Sequence, residues 1–200
     1  MSDAVALGFR VHSGWTAAVA ASGSPSKPII LERRRIETAD ARIVGSPQPY
    51  HAAKELCVEE AETLIRQCHE SSTLLAMRAI SAWAAQLRQN GLTVVGAGIL
   101  FASGRPLPNL AAILRSHPLI HTAEGEFFRA ALVTASERCS LPVTKVKERE
   151  IWERATRVFR LPIADLQRRI GELGKLVGPP WRQDEKLASL AAWITLIESK

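Results

Sequence analysis

The order of apolar patterns along the chain predicts an α/β domain: a mixed five-stranded sheet, three antiparallel strands followed by two parallel crossover strands, with helices on both faces. Three observations carry that expectation. Three β-type runs stand at the amino end, separated only by tight turns. Two further β-type runs each follow a helical pattern long enough to cross a sheet, and the remainder of the chain is helical in period. At 200 residues and 46% hydrophobic content the chain forms one domain, 1–200, around one substantial core.

Residues 5–10 and 15–21 are short and apolar, and the "VHSG" between them supplies in Ser13-Gly14 the reversal of a hairpin. After the turn-rich "SGSPSKP" comes "IILERRRIE". It alternates with Ile30, Glu32, Arg34 and Ile36 on one side and Ile29, Leu31, Arg33 and Arg35 on the other. Neither side is cleanly apolar, which predicts an edge strand whose charges discourage stray pairing.

From residue 51 to 90 the period lengthens. Ala53, Leu56, Cys57, Ala61, Leu64, Ile65 and Cys68 recur at three- and four-residue steps, the stripe of an amphipathic helix. Ser71-Ser72 either ends that helix or lies within it, and the broadly apolar "TLLAMRAISAWAAQLRQNG" stops at Asn90-Gly91. Its stretch from Leu74 to Leu87 offers a surface for a two-fold homodimer.

"LTVVGAGILFA" is a continuous apolar run, expected at the sheet centre and covered on both faces. "RPLPNL" turns the chain, "AAILRSH" is a short helical piece, and "TAEGEFFRAALVTASERC" carries Phe127, Phe128, Ala131, Leu132 and Ala135 at helical spacing. "LPVTKVKE" is a short fifth strand. "EIWERATRVF" and "IADLQRRIGELGKLV" are helices divided by Leu161-Pro162, and "GPPW" precedes a last helix from about Gln183.

Lys and Arg outnumber Asp and Glu by 26 to 20, and a formal charge of +6 favours encounter with polyanions. The start "MSDAVALGF" lacks the pattern of a secretion signal and no run of 18 apolar residues occurs, so a cytoplasmic location without membrane contact is expected. Cys57, Cys68 and Cys139 are an odd count in no metal-ligand spacing, and they read as reduced thiols in helical segments.

This succession resembles the RNase H-like fold, and within it the chain is similar to the crossover-junction (Holliday-junction) resolvase family. "LGFRVHSGWTAAVAAS" resembles that family's first hairpin, "TVVGAGILF" its central strand, "SLPVTKVKERE" its fifth strand and exit, and "DEKLASLAAWITL" its last helix. The resemblance implies four carboxylates holding two divalent cations for phosphodiester cleavage. Carried onto this sequence, the first-strand acid falls at Arg10, the central-strand acid at Gly98, and the last helix's pair at Glu185 and Ala188. Asp184 lies beside Glu185 but about 100° around the helix from it.

Each missing acid removes a charge and an oxygen ligand from a hard-cation site, and a guanidinium at Arg10 repels an incoming dication. The expectation is therefore a non-catalytic domain that binds structured or branched nucleic acid or acts as a scaffold, with no cofactor. Arg10 would then be a fixed positive charge neutralising Glu185 or a bound phosphate. The alternatives are a Mg²⁺- or Mn²⁺-dependent nuclease using the displaced acids Asp184, Glu185, Glu124 and Glu126, and a module for protein partners.

For nucleic-acid contact the candidates are Arg33, Arg34, Arg35, Lys145 and Lys147, with the rigid "GPPWRQDE" presenting Trp181 and Arg182 to an unpaired base. Glu148, Glu150 and Glu153 interleave with the basic residues and favour instead an ordinary salt-bridged surface. His12 and Ser13, with His121, Glu124 or Glu126, would form a general-base site only if the fold gathers them.

Overall fold

The computed structural model describes residues 3–102, 104 and 106–199; Arg105, at the head of the expected turn after the fourth strand, lies outside them. Strands β1 (Asp3–His12), β2 (Trp15–Gly23) and β3 (Pro28–Glu37) form an antiparallel meander, and Gly14 takes the positive φ of +79° that the two-residue turn requires. Strands β4 (Leu92–Phe101) and β5 (Val143–Lys147) add in parallel, giving the order β3-β2-β1-β4-β5. The fold class matches the mixed sheet expected from the sequence. β1 is the middle strand, with the apolar β4 beside it, and β3 is the expected edge.

Short α1 (Pro49–Ala52) precedes α2, which runs unbroken from Val58 to Gln89. Cys57, read as helical, is instead the extended N-cap of α2. Ser71 lies within the helix because its hydroxyl donates to Asp40 at 2.8 Å instead of competing for its own backbone. Next come α3 (Leu110–Leu114) and α4 (His117–Arg138), then, after β5 and a 3₁₀ turn at Glu148–Glu150, α5 (Ile151–Phe159), α6 (Ile163–Val177) and α7 (Gln183–Glu198).

Two hydrophobic layers hold the sheet. On one face Val5, Leu7, Phe9 and Ile99 pack against Ala76, Ile80 and Trp83 of α2 and Leu132 of α4. The inner stripe of α2 is thus used within the chain, and its outer side shows Leu74 together with Arg78, Ser81 and Ala85. Within the stretch from Leu74 to Leu87, Ala76, Ile80, Trp83 and Leu87 are core, and Leu74, Ala82 and Ala85 stay exposed.

On the other face lies α7, buried from Leu187 to Leu196 between the sheet and α5 and α6. It approaches β1 and β4 at backbone distance. A Cβ on Gly8 would stand 1.9 Å from the Ala188 carbonyl oxygen, and one on Gly98 would stand 2.5 Å from the Ala191 carbonyl oxygen. Glycine is needed at both places by that contact. The helix N-terminus is thereby fixed over the carboxyl end of β1.

Candidate functional site

Because β1, β4 and β5 are parallel, their carboxyl ends meet at one edge of the sheet, where α/β folds commonly bind ligands. A cleft of about 490 Å³ opens there, lined by Phe101, Arg129, Glu148, Trp152, Gln183 and Leu187. Arg10 and His12, alternating along β1, point to the α7 side of this edge. Glu148 arrives from the end of β5 and Asp184 from the first turn of α7.

Arg10 joins the two acids. Its Nη2 donates to Glu148 Oε1 at 2.8 Å and its Nε to Oε2 at 3.3 Å, a fork matched to a carboxylate, while Nη1 donates to Asp184 Oδ1. His12 Nε2 lies 2.9 Å from the same Asp184 oxygen. The Glu148 bonds hold the Arg10 pKa above its ordinary value against the opposing pull of burial, and Asp184 adds to the rise. Burial pushes the Asp184 carboxyl up, but the bonds and charges of Arg10 and His12 outweigh it and leave the pKa lowered.

The cluster continues across the hairpin. The His12 ring stacks on Trp15 at 4.2 Å and 10°, and the Arg35 guanidinium lies 3.9 Å above Trp15. Arg35 also pairs with Glu37 and is half exposed.

Several sequence expectations are corrected at this edge. Glu185 does not face Arg10: as the third residue of α7 its carboxylate accepts from the Arg182 N–H at 2.8 Å, a helix-capping bond, and Asp184 takes the position over Arg10. Gly98 and Ala188 belong to the packing seam beneath α7. Continuing the β1–β4 register one step past Phe9–Ile99 sets Leu100, buried and apolar, level with Arg10. Glu124 and Glu126 lie on α4, across the sheet. Glu124 accepts from the Tyr50 and His51 N–H groups at 2.8 and 3.0 Å, and Glu126 pairs with Arg129 at 3.3 Å.

Trp181 is not an exposed stacking ring. Its indole N–H donates to the Ile170 carbonyl at 2.8 Å, and the ring lies on Gly174, where an added Cβ would come within 2.2 Å. Arg33, Arg34 and Arg35 do not share a face: Arg33 donates to the Pro179 carbonyl and Arg35 covers Trp15, while Arg34 lies over Trp83 on the α2 side and pairs with Glu32 at 2.7 Å. Lys145 and Lys147 are exposed on the edge strand β5, near Phe101 and Glu150 respectively, and Arg182 is exposed. Some helix cations are paired, Arg154 with Glu198 and Arg168 with Asp165 and Glu172. Of the interleaved glutamates, Glu150 pairs with Lys147 and Arg149, while Glu148 turns to Arg10.

His12 and Ser13 of the hairpin are not joined by His121, Glu124 or Glu126, so the general-base combination does not form. Glu148 was passed over as one of the surface acids. Its signal was its position, immediately after the fifth strand and hence at the same sheet edge as Arg10.

The donor set does not fit a pair of hard divalent ions. Both carboxylates are engaged by a permanent guanidinium charge, β4 contributes no acid at that level, and magnesium requires near-octahedral oxygen coordination. A larger cavity, about 640 Å³, lies away from this edge against α2, α3 and α4. It is lined largely by apolar groups such as Tyr50, Ile65, Leu110 and Phe127, with Glu62, Arg66, Glu70 and Glu126 also on its wall.

No family model matches the chain, and no curated protein matches it. Among solved structures, the chain is similar to the Thermus thermophilus RuvC in complex with Holliday junction substrate: TM-score 0.53, 8% identity, covering 95% of this chain and 90% of that one. A Thermus thermophilus RuvC structure gives a TM-score of 0.51 at 9% identity, covering 95% of this chain and 92% of that one. The fold is RNase H-like, shared with these two structures. Among the described residues no helix is long and apolar enough to cross a membrane.

Proposed function

We propose that this chain is a non-catalytic RNase H-like module that binds structured or branched nucleic acid, with Arg10 serving as a built-in cation at the edge where resolvase relatives would hold metal. The observation that carries the reading is the Arg10 fork on Glu148 and its bond to Asp184. A side chain that is charged at every accessible pH neutralises these acids permanently, where a metal site would leave them free to take up an ion.

Nucleic-acid binding draws support from three features. The overall charge is +6, the fold is shared with a protein seen on a Holliday junction, and Lys145, Lys147, Arg149 and Arg182 are exposed on or beside the elements that frame the cleft, with Arg35 exposed over Trp15 of the hairpin. Phosphate contacts by such groups release counterions, so affinity falls steeply with salt.

The test is gel retention of a four-way DNA junction and of a linear duplex over a salt series, with Mg²⁺ and then Mn²⁺ present. Salt-sensitive retention of the junction, with the DNA intact, is the expected result. Cleavage abolished by Asp184→Asn would establish the nuclease reading instead, and no retention even at low salt would remove nucleic acid as the ligand.

A further inference from the structure

Away from the Arg10 edge, three imidazoles converge. "HPLIHTAE" sets His117, His121 and Glu124 at i, i+4 and i+7, on one side of α4. His51 comes from α1, which is joined to α4 by the Tyr50 and His51 N–H bonds to Glu124 Oε1. One ring nitrogen from each histidine lies within 4.8 Å of the others, and His117 Nε2 and His121 Nε2 are 3.0 Å apart.

We propose that His51, His117 and His121 bind one borderline transition-metal ion, Zn²⁺ being the best match, with a fourth position open to solvent. Zinc–imidazole bonds of roughly 2.0–2.1 Å in a tetrahedron set ligand nitrogens about 3.3 Å apart, so the His117–His121 pair already has close to the required spacing. His51 closes the site by a small ring movement. Three neutral nitrogen donors select against Mg²⁺ and Ca²⁺, which take oxygen.

Glu124 supplies the outer support such a site needs. Its carboxylate is buried, 2% exposed, and Oε1 lies 3.2 Å from His51 Nδ1. An Nδ1–H donated to Glu124 fixes the tautomer that turns the Nε2 lone pair toward the cluster. No Lys or Arg pairs with this acid among the described residues, and its Oε2 is buried without a donor. His117 and His121 are exposed, which leaves the approach open.

The experiment is titration of chelator-treated full-length protein with Zn²⁺ by calorimetry, and with Co²⁺ by visible absorption. The expected result is one ion per chain, tetrahedral Co²⁺ bands without a thiolate charge-transfer band, and a loss of affinity of at least tenfold in His121→Ala and in His117→Ala. Both positions are exposed, so these variants keep the fold, which circular dichroism checks. Affinity should be unchanged in Cys57→Ser and in Asp184→Asn. Absence of binding, a thiolate band, or equal affinity in wild type and His121→Ala would overturn the assignment.

Discussion

Replacing Arg10 with methionine keeps most of the side-chain stem and removes the one charge that Glu148 and Asp184 share. Arg10 and Asp184 are each 23% exposed and Glu148 38% exposed, so the network lies between surface and core. At an effective dielectric near 20, a pair about 3 Å apart has a gross attraction of about 5 kcal/mol, most of it offset by desolvation. Exposed pairs are worth about 0.2–1 kcal/mol, and breaking a buried pair costs about 3–5 kcal/mol. A half-buried guanidinium with two anionic partners therefore predicts a loss of about 2 kcal/mol for Arg10→Met. At 200 residues that corresponds to a fall in Tm of roughly 4–8 °C.

Arg10→Asp goes further and assembles three acids where there were two. Its loss should be larger in chelator and partly reversed by Mn²⁺, since an ion at 100 times its Kd restores about 2.7 kcal/mol. Urea denaturation of the three proteins, with chelator and with Mn²⁺, provides the measurement. Arg10→Met within about 0.5 kcal/mol of wild type would refute the claim that the guanidinium balances these acids, because ordinary surface substitutions fall in that range.

Other consequences are open to direct measurement. Gly8→Ala forces a Cβ to within 1.9 Å of the Ala188 carbonyl and should destabilise by about 3 kcal/mol or more in urea denaturation, with α7 displaced from the sheet. Trp181→Ala removes the bond to Ile170 and the packing on Gly174, so a stability loss of about 2–3 kcal/mol is expected while junction retention stays unchanged. Weaker retention at equal folding would return Trp181 to the binding surface. The Asp184 carboxyl is held below its ordinary value of 3.8, so its contribution to stability is complete above that pH and is lost as pH falls through its lowered folded-state pKa. The stability difference between wild type and Asp184→Asn should accordingly be larger at pH 6 than at pH 3. A difference that does not change with pH would contradict the pairing.

The strands were legible because β1, β2 and β4 are nearly pure apolar runs that only a covered sheet explains. Their order then fixed the topology. The helix end at Asn90-Gly91 was legible for a similar local reason, a stop signal where the stripe ends. Side-chain direction near a helix start was not, since one residue's offset decides whether Asp184 or Glu185 looks down on β1. The capping role of Glu185 depends on Arg182 being the N-cap.

Gly98, where the resemblance placed the central-strand acid, packs against the α7 backbone, a contact that a glycine in sequence does not reveal. Trp181 and Glu148 failed in opposite directions. The indole's partner Ile170 lies eleven residues back on α6, out of reach of local pattern, whereas Glu148 is given by strand order alone once β5 is known to lie two strands from β1. The division of Arg34 from Arg33 and Arg35 follows from strand alternation and was legible in "IILERRRIE".

The central claim is that a guanidinium occupies the role of the cation at the Arg10 edge, and Mg²⁺ titration of the wild-type protein beside Asp184→Asn tests it most directly. Magnesium is the ion to use because the histidine cluster disfavours it. The account predicts identical, featureless isotherms for the two proteins. One or two ions bound by wild type and lost in Asp184→Asn would contradict it.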